Sequence, residues 1–158
     1  MSKVTVTFPD GNTKEYESGV TAREVASSIS EGLAREALAA AVNDRQVDLD
    51  APIAEDATVR FFTFKDPEGR HVFWHSSSHL MAHAVQELFP EAKFGVGPAI
   101  ENGFYYDIDI NRRLGEDDLE SIEKKMKELA KRDETFARKE LAKSEALKFF
   151  AEKGDPYK

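Results

Sequence analysis

Val4, Val6 and Phe8 alternate with Lys3, Thr5 and Thr7, the period of two that marks a half-buried strand. Pro9-Asp10-Gly11-Asn12 is a turn, and Thr13 to Tyr16 return as a second strand, so a hairpin opens the chain. The period then changes. Thr21 and Glu24 spell the capping box T-x-x-E, with Thr21 as N-cap, and Val20 and Val25 occupy the hydrophobic-staple positions on either side of the helix start. Val25, Ala26 and Ile29 supply the buried stripe of this helix, and Gly32 is its expected C-terminal stop. Leu38 to Val42, Gln46 to Leu49 and Thr58 to Phe64 read as strands, with Asn43-Asp44 as a turn.

The order ββα followed by short strands, within 64 residues, is packed most simply by one helix crossing a small mixed sheet, a β-grasp or ubiquitin-like architecture. Lys65-Asp66-Pro67-Glu68-Gly69-Arg70 is polar and turn-rich, and places a domain boundary between residues 1–64 and 65–158. The second segment predicts a helix from His75 to Phe89, stopped by Pro90. A strand-rich stretch from Lys93 to Ile110 follows, with Asn102-Gly103 as a hairpin turn. In it Tyr106, Ile108 and Ile110 alternate with Asp107 and Asp109. Leu119, Ile122, Met126 and Leu129 form one apolar stripe on a charged helix from Glu116 to Arg132. A strand near Thr135 to Leu141 and a helix near Ser144 to Glu152 come next. Gly154 to Lys158 reads as a turn entering another strand, so the second segment is expected to be incomplete here and to continue in a longer parent. The fold class is α+β.

Composition narrows the chemistry. The chain has no Cys, which removes disulfides, thiolate nucleophiles and Cys-ligated zinc, and agrees with a reducing compartment. No run of about 18 apolar residues is present and the first residues lack an apolar leader core, so no membrane partner and a cytoplasmic location are expected. A net charge of −8 argues against a generic nucleic-acid binder but leaves room for a local basic face. The basic run Lys124, Lys125, Lys127, Lys131 and Arg132 alternates with Glu120, Glu123 and Glu128, which suits a salt-bridged solvent face better than an RNA contact.

The candidate site is a histidine stripe. At about 100° per residue, His75, His79 and His83 fall within roughly an 80° sector of one helix, with Leu80, Met81, Ala84, Val85 and Leu88 on the far side. Two imidazoles at i and i+4 can converge on one small target, a metal ion or a water beside a substrate. Positions 76–78 are all Ser, so the H-E-x-x-H of a zinc protease is absent, and the three serines, with no nucleophile elbow around them, read as helix surface. His83 lies two turns from His75, too far to complete a compact three-ligand zinc site, so no metal is expected in this chain. Gly95-Val96-Gly97-Pro98 is too short for a dinucleotide fingerprint and reads as a structural turn.

A β-grasp segment, a short linker, W-H-S-S-S-H-L-M-A-H-A-V and then F-G-V-G-P-A-I-E-N-G-F-Y-Y-D together resemble the N-terminal region of bacterial threonyl-tRNA synthetases. In that family a TGS domain, residues 1–64 here, precedes an editing domain, of which residues 65–158 would be the N-terminal part. The resemblance implies that His75 and His79 are editing-pocket histidines, that the pocket lysine is Lys158, and that Tyr106 is a substrate-binding residue. It also implies a parent enzyme that ligates threonine to tRNA. That parent uses ATP, Mg and a zinc ion in a catalytic domain absent here, meets the acceptor end of tRNA, and dimerises through absent domains. No cofactor is expected in these residues themselves.

The implied chemistry has a physical reason. A pocket selecting Thr rejects Ser poorly, because one methyl is worth only about 1–3 kcal/mol, so a second pocket must hydrolyse Ser-tRNA. Imidazoles can orient or deprotonate the water, and a lysine ammonium can stabilise the developing oxyanion; His75, His79 and Lys158 fit these roles in type. Two alternatives stand beside this reading: a stand-alone TGS module binding RNA or a regulator, and a zinc-dependent trans-editing deacylase of the alanyl family. The latter needs a C-x-x-x-H pair that this chain lacks.

Overall fold

The alternation at the start of the chain becomes β1 (Lys3–Thr7), paired antiparallel with β2 (Thr13–Glu17), Lys3 opposite Glu17 and Thr7 opposite Thr13. This computed structural model describes residues 2–134 and 139–152. The reversal between the strands is closed by Gly11 at φ +83° and by the Asp10 carboxylate, which accepts the Asn12 N–H at 3.0 Å. After β3 (Val20–Thr21) comes α1 (Ala22–Ile29), and its capping box is complete. The Thr21 N–H and hydroxyl donate to Glu24 Oε2 at 2.8 and 2.9 Å, and the Glu24 N–H donates back to Thr21 Oγ1 at 3.2 Å.

The end of this helix differs from expectation. Ser30, not Gly32, closes α1: its N–H donates to the Ala26 carbonyl, while its Oγ accepts the Leu33 N–H and so caps a second short helix, α2 (Glu31–Glu36). Gly32 lies inside α2 with a negative φ, so its freedom is not used. Ile29, expected in the buried stripe, is 47% exposed, because the chain turns away one residue later.

The rest of the sheet is β4 (Ala37–Val42), β5 (Arg45–Val47), the short β6 (Pro52–Ile53) that pairs with β3, and β7 (Ala57–Thr63). Asn43 and Asp44, at φ +49° and +62°, make the two-residue turn between β4 and β5. The strand order is β2-β1-β7-β4-β5, with β1 and β7 parallel and every other pair antiparallel. With α1 packed through Val25 onto Val4, Val6, Ile53 and Val59, this is the expected β-grasp. β4 is alanine-rich because both its faces are covered. Ala37 and Ala40 pack with Ala22 and Leu49, and Ala39 and Ala41 pack with Phe62 under Val72.

A long helix, α3 (Pro67–Leu88), starts eight residues before His75. The polar segment that suggested a linker is its entrance. Asp66 Oδ2 accepts the Thr63 N–H at 2.7 Å and the Thr63 hydroxyl at 3.0 Å, which lowers the Asp66 pKa. Pro67 suits a first helical turn, where its missing N–H has no partner to lose. The chain divides within α3 into two compact units, Met1–Trp74 and His75–Lys158.

In the second unit, β8 (Lys93–Phe94) pairs with β11 (Ile108–Asp109), and β9 (Ala99–Ile100) with β10 (Gly103–Phe104). Ile100 lies opposite Gly103, so the hairpin loop is Glu101-Asn102, one residue earlier than expected. Gly103 takes φ +148° at the start of the return strand, a conformation costly for any side chain. The next helix is α4 (Glu116–Lys131). The core is Ala84, Val85, Ala92, Phe94, Ile122 and Leu129, with Leu80, Met81, Tyr106, Ile108 and Met126 packed against it. Leu119 is 59% exposed, so the expected stripe loses its first member; it stands roughly 80° round the helix from Leu129, at the edge of the buried arc. Of the expected strand near Thr135 to Leu141, residues 135–138 lie outside the described residues and the remainder is not strand. α5 (Lys143–Glu152) follows. Among the described residues no helix is long and apolar enough to cross a membrane.

Candidate functional site

Within α3, Ala84 and Val85 are fully buried while His75, His79 and His83 are exposed, so the apolar and imidazole faces divide as the spacing implies. The Nε2 atoms of His75 and His79 stand 3.1 Å apart, with ring centroids at 4.7 Å and planes at 75°. One ring therefore donates an N–H to the other's lone pair, in either direction according to tautomer.

His83 is diverted elsewhere. Its Nε2 lies 3.4 Å from Glu87 Oε1, and Glu87 also meets Arg132 at 2.9 Å and Lys125 at 3.4 Å. Arg132 and Lys125 in turn hold Glu128 at 2.8 and 2.9 Å. The guanidinium of Arg132 pulls the Glu87 carboxyl below its ordinary value. Lys125 and Arg132 together take Glu128 from 4.5 to about 2, and Arg132 is pushed up. Lys127 pairs with Glu123 as well, so much of the basic run is ion-paired.

Sequence reasoning missed two features of this helix. All four histidines of the chain, His71, His75, His79 and His83, follow one another at intervals of four, a signal hidden by starting the helix at His75. Ser78, expected on the surface, is fully buried. Its Oγ lies 2.7 Å from the His75 carbonyl oxygen and 3.3 Å from that of Gly97, so its single proton links the histidine-bearing turn to the Gly95–Pro98 loop.

Gly97 is bare for a reason: a Cβ there would collide with the Tyr106 ring. Gly95 and Asp107 complete the contact, the Gly95 N–H donating to the Asp107 carbonyl at 2.9 Å and the Asp107 N–H to that of Val96 at 2.8 Å. Tyr106 also packs edge-on against Phe94, with centroids 5.7 Å apart. His75 and His79 thus meet directly, and Tyr106 is tied to the same helix through Gly97 and Ser78. Lys158 lies outside the described residues. Among those residues no group of three or more His, Asp or Glu is placed to hold a metal ion.

Residues 4–63 match the TGS domain family. Over 157 residues, 98% of the chain, the sequence is 53% identical to the threonine–tRNA ligase of Porphyromonas gingivalis. It is 52% identical over 157 residues to that of Chlorobaculum tepidum and 51% over 156 residues to that of Cytophaga hutchinsonii. In each case the chain spans 24% of the relative's length.

Proposed function

Starting from a chain whose residues 4–63 are a TGS domain and whose whole length is homologous to the N-terminal quarter of bacterial threonine–tRNA ligases, we propose that it supplies tRNA contact and part of a site that hydrolyses Ser-tRNA(Thr). The observation that carries this reading is the His75–His79 pair, two imidazole nitrogens 3.1 Å apart on an exposed face of a helix anchored by its opposite side. Such a pair can take a proton from a water on one ring while the second ring holds the first in a fixed tautomer and orientation. Tyr106, propped on Gly97, offers a wall for the substrate, and Lys158 a cation for the oxyanion. Threonine activation, with its ATP, Mg and zinc, belongs to the remaining length of such ligases.

The test uses a full-length threonine–tRNA ligase carrying this segment at its N-terminus. His75→Ala or His79→Ala is expected to slow Ser-tRNA(Thr) hydrolysis by about 10²–10⁴-fold, the usual worth of a general acid or base, with threonine activation close to normal. Both rings project from the exposed face, so the thermal midpoint should barely move. Unchanged hydrolysis in both folded variants would reject the site.

A further inference from the structure

Among the described residues Ser78 is the one buried polar side chain, with none of its surface reaching solvent. Its Oγ lies between two carbonyl oxygens of different elements, that of His75 in α3 at 2.7 Å and that of Gly97, in the loop between β8 and β9, at 3.3 Å. We propose that Ser78 is a positioning residue of the hydrolytic site: its hydroxyl fixes the spacing between the histidine-bearing turn and the Gly97 loop, and through that loop the place of the Tyr106 wall. This rests on the hydrolytic reading above and deepens it, because it assigns a residue to the choice between a seryl and a threonyl ester.

Both ends of this bridge lead to the site. On the helix side, the His75 carbonyl is the acceptor that an α-helix assigns to the His79 N–H, four residues on. The Ser78 hydroxyl therefore lands on the turn that spaces the two imidazoles. On the loop side, Gly97 lies directly against the Tyr106 ring, with no room for a Cβ between them. The hydrogen bonds from the Gly95 N–H to the Asp107 carbonyl and from the Asp107 N–H to that of Val96, at 2.9 and 2.8 Å, tie the loop to the residue after Tyr106. Loop and ring are thus one piece, which Phe94, edge-on to the ring, roots in the core with Ala84 and Val85.

The demand on that piece is small in length and large in consequence. A site that hydrolyses a seryl ester and spares a threonyl one must exclude a single methyl, and a wall that drifts by the width of a methyl loses the distinction. Apolar packing fixes Tyr106 by shape, whereas a hydrogen bond adds direction and a set distance. Ser78→Ala keeps nearly the same volume but turns a methyl group toward both carbonyls. The Gly97 oxygen then loses this donor at a buried place, and its loop relaxes toward other partners.

The test again uses a full-length threonine–tRNA ligase carrying this segment, and compares hydrolysis of Ser-tRNA(Thr) with that of Thr-tRNA(Thr). Ser78→Ala is expected to lower the preference for the seryl ester, read as the ratio of the two kcat/KM values, by about tenfold, the low end of what one methyl is worth. Ser78→Cys fills the same place with a weak donor, and its ratio should fall in the same direction. A merely structural role predicts another pattern, in which both esters slow together with a lowered thermal midpoint and the ratio holds. Circular dichroism checks each fold, and if Ser78→Ala does not fold, Ser78→Cys decides on the same ratio. His75→Ala, run alongside, separates this proposal from the reading beneath it. Hydrolysis that survives His75→Ala rejects both. Hydrolysis lost in His75→Ala, with an unchanged ratio in the folded Ser78 variants, overturns the positioning role alone.

Discussion

Gly69 sits in the first turn of α3 with Thr63 directly behind it, so closely that a Cβ would fall on the Thr63 carbonyl. In an open helix, Gly→Ala gains about 1 kcal/mol. Here the collision is with backbone, which cannot rotate away, so Gly69→Ala should destabilise instead, by about 2–4 kcal/mol. A raised thermal midpoint would show that the contact does not exist. Gly97→Ala is a milder case, since the obstacle is the Tyr106 ring; about 1–3 kcal/mol is expected. If that ring is the cause, Tyr106→Ala should remove most of the added cost of Gly97→Ala in a double-mutant cycle on thermal denaturation. Neither glycine's role was visible in the sequence, because each is set by a residue six or nine positions away across a turn. The capping box was visible, because Thr21 and Glu24 satisfy each other within one turn.

Elements resolve differently according to how local their causes are. α1 announces its start in four residues, and Thr21→Ala should cost about 1 kcal/mol, read by chemical denaturation. The ends of elements were less legible: Ser30 displaced Gly32 as the stop, and Pro67 with Asp66 moved the start of α3 forward, because a polar segment rich in turn residues is also what a helix entrance looks like. Lys125 and Glu128 of α4, with Arg132 at its C-terminal cap, form one cluster with Glu87 of α3. Glu128 titrates at about 2 in the folded chain against an ordinary 4.5, so its folded pKa is depressed. Its contribution is therefore complete above about pH 4.5 and is lost as pH falls toward 2. The difference in thermal midpoint between the chain and Glu128→Gln should shrink across that window. It should be smaller throughout in 1 M salt, because Glu128 is half exposed and its two partners are partly so, which leaves the pairs open to screening. A difference independent of pH would remove the carboxylate from the account.

At the scale of the molecule, the β-grasp could be read in advance because its order of elements leaves few ways to bury one helix on one sheet. The histidine pair could be read because helical periodicity alone brings positions 75 and 79 together. What could not be read was where one folded body stops. The TGS match ends at residue 63, yet Val72, nine residues on, covers Ala39, Ala41 and Phe62 on the sheet. A fragment cut at the family boundary would leave that apolar face of β4 and β7 bare, with alanines too small to shield the strands' backbone. Anyone dissecting this segment for expression, labelling or grafting should carry the chain through Trp74. The shorter piece should bind a hydrophobic dye and precipitate at concentrations where the longer stays clear. The border of an inherited module and the border of a soluble one are thus set by different forces, and here about two turns of α3 lie between them.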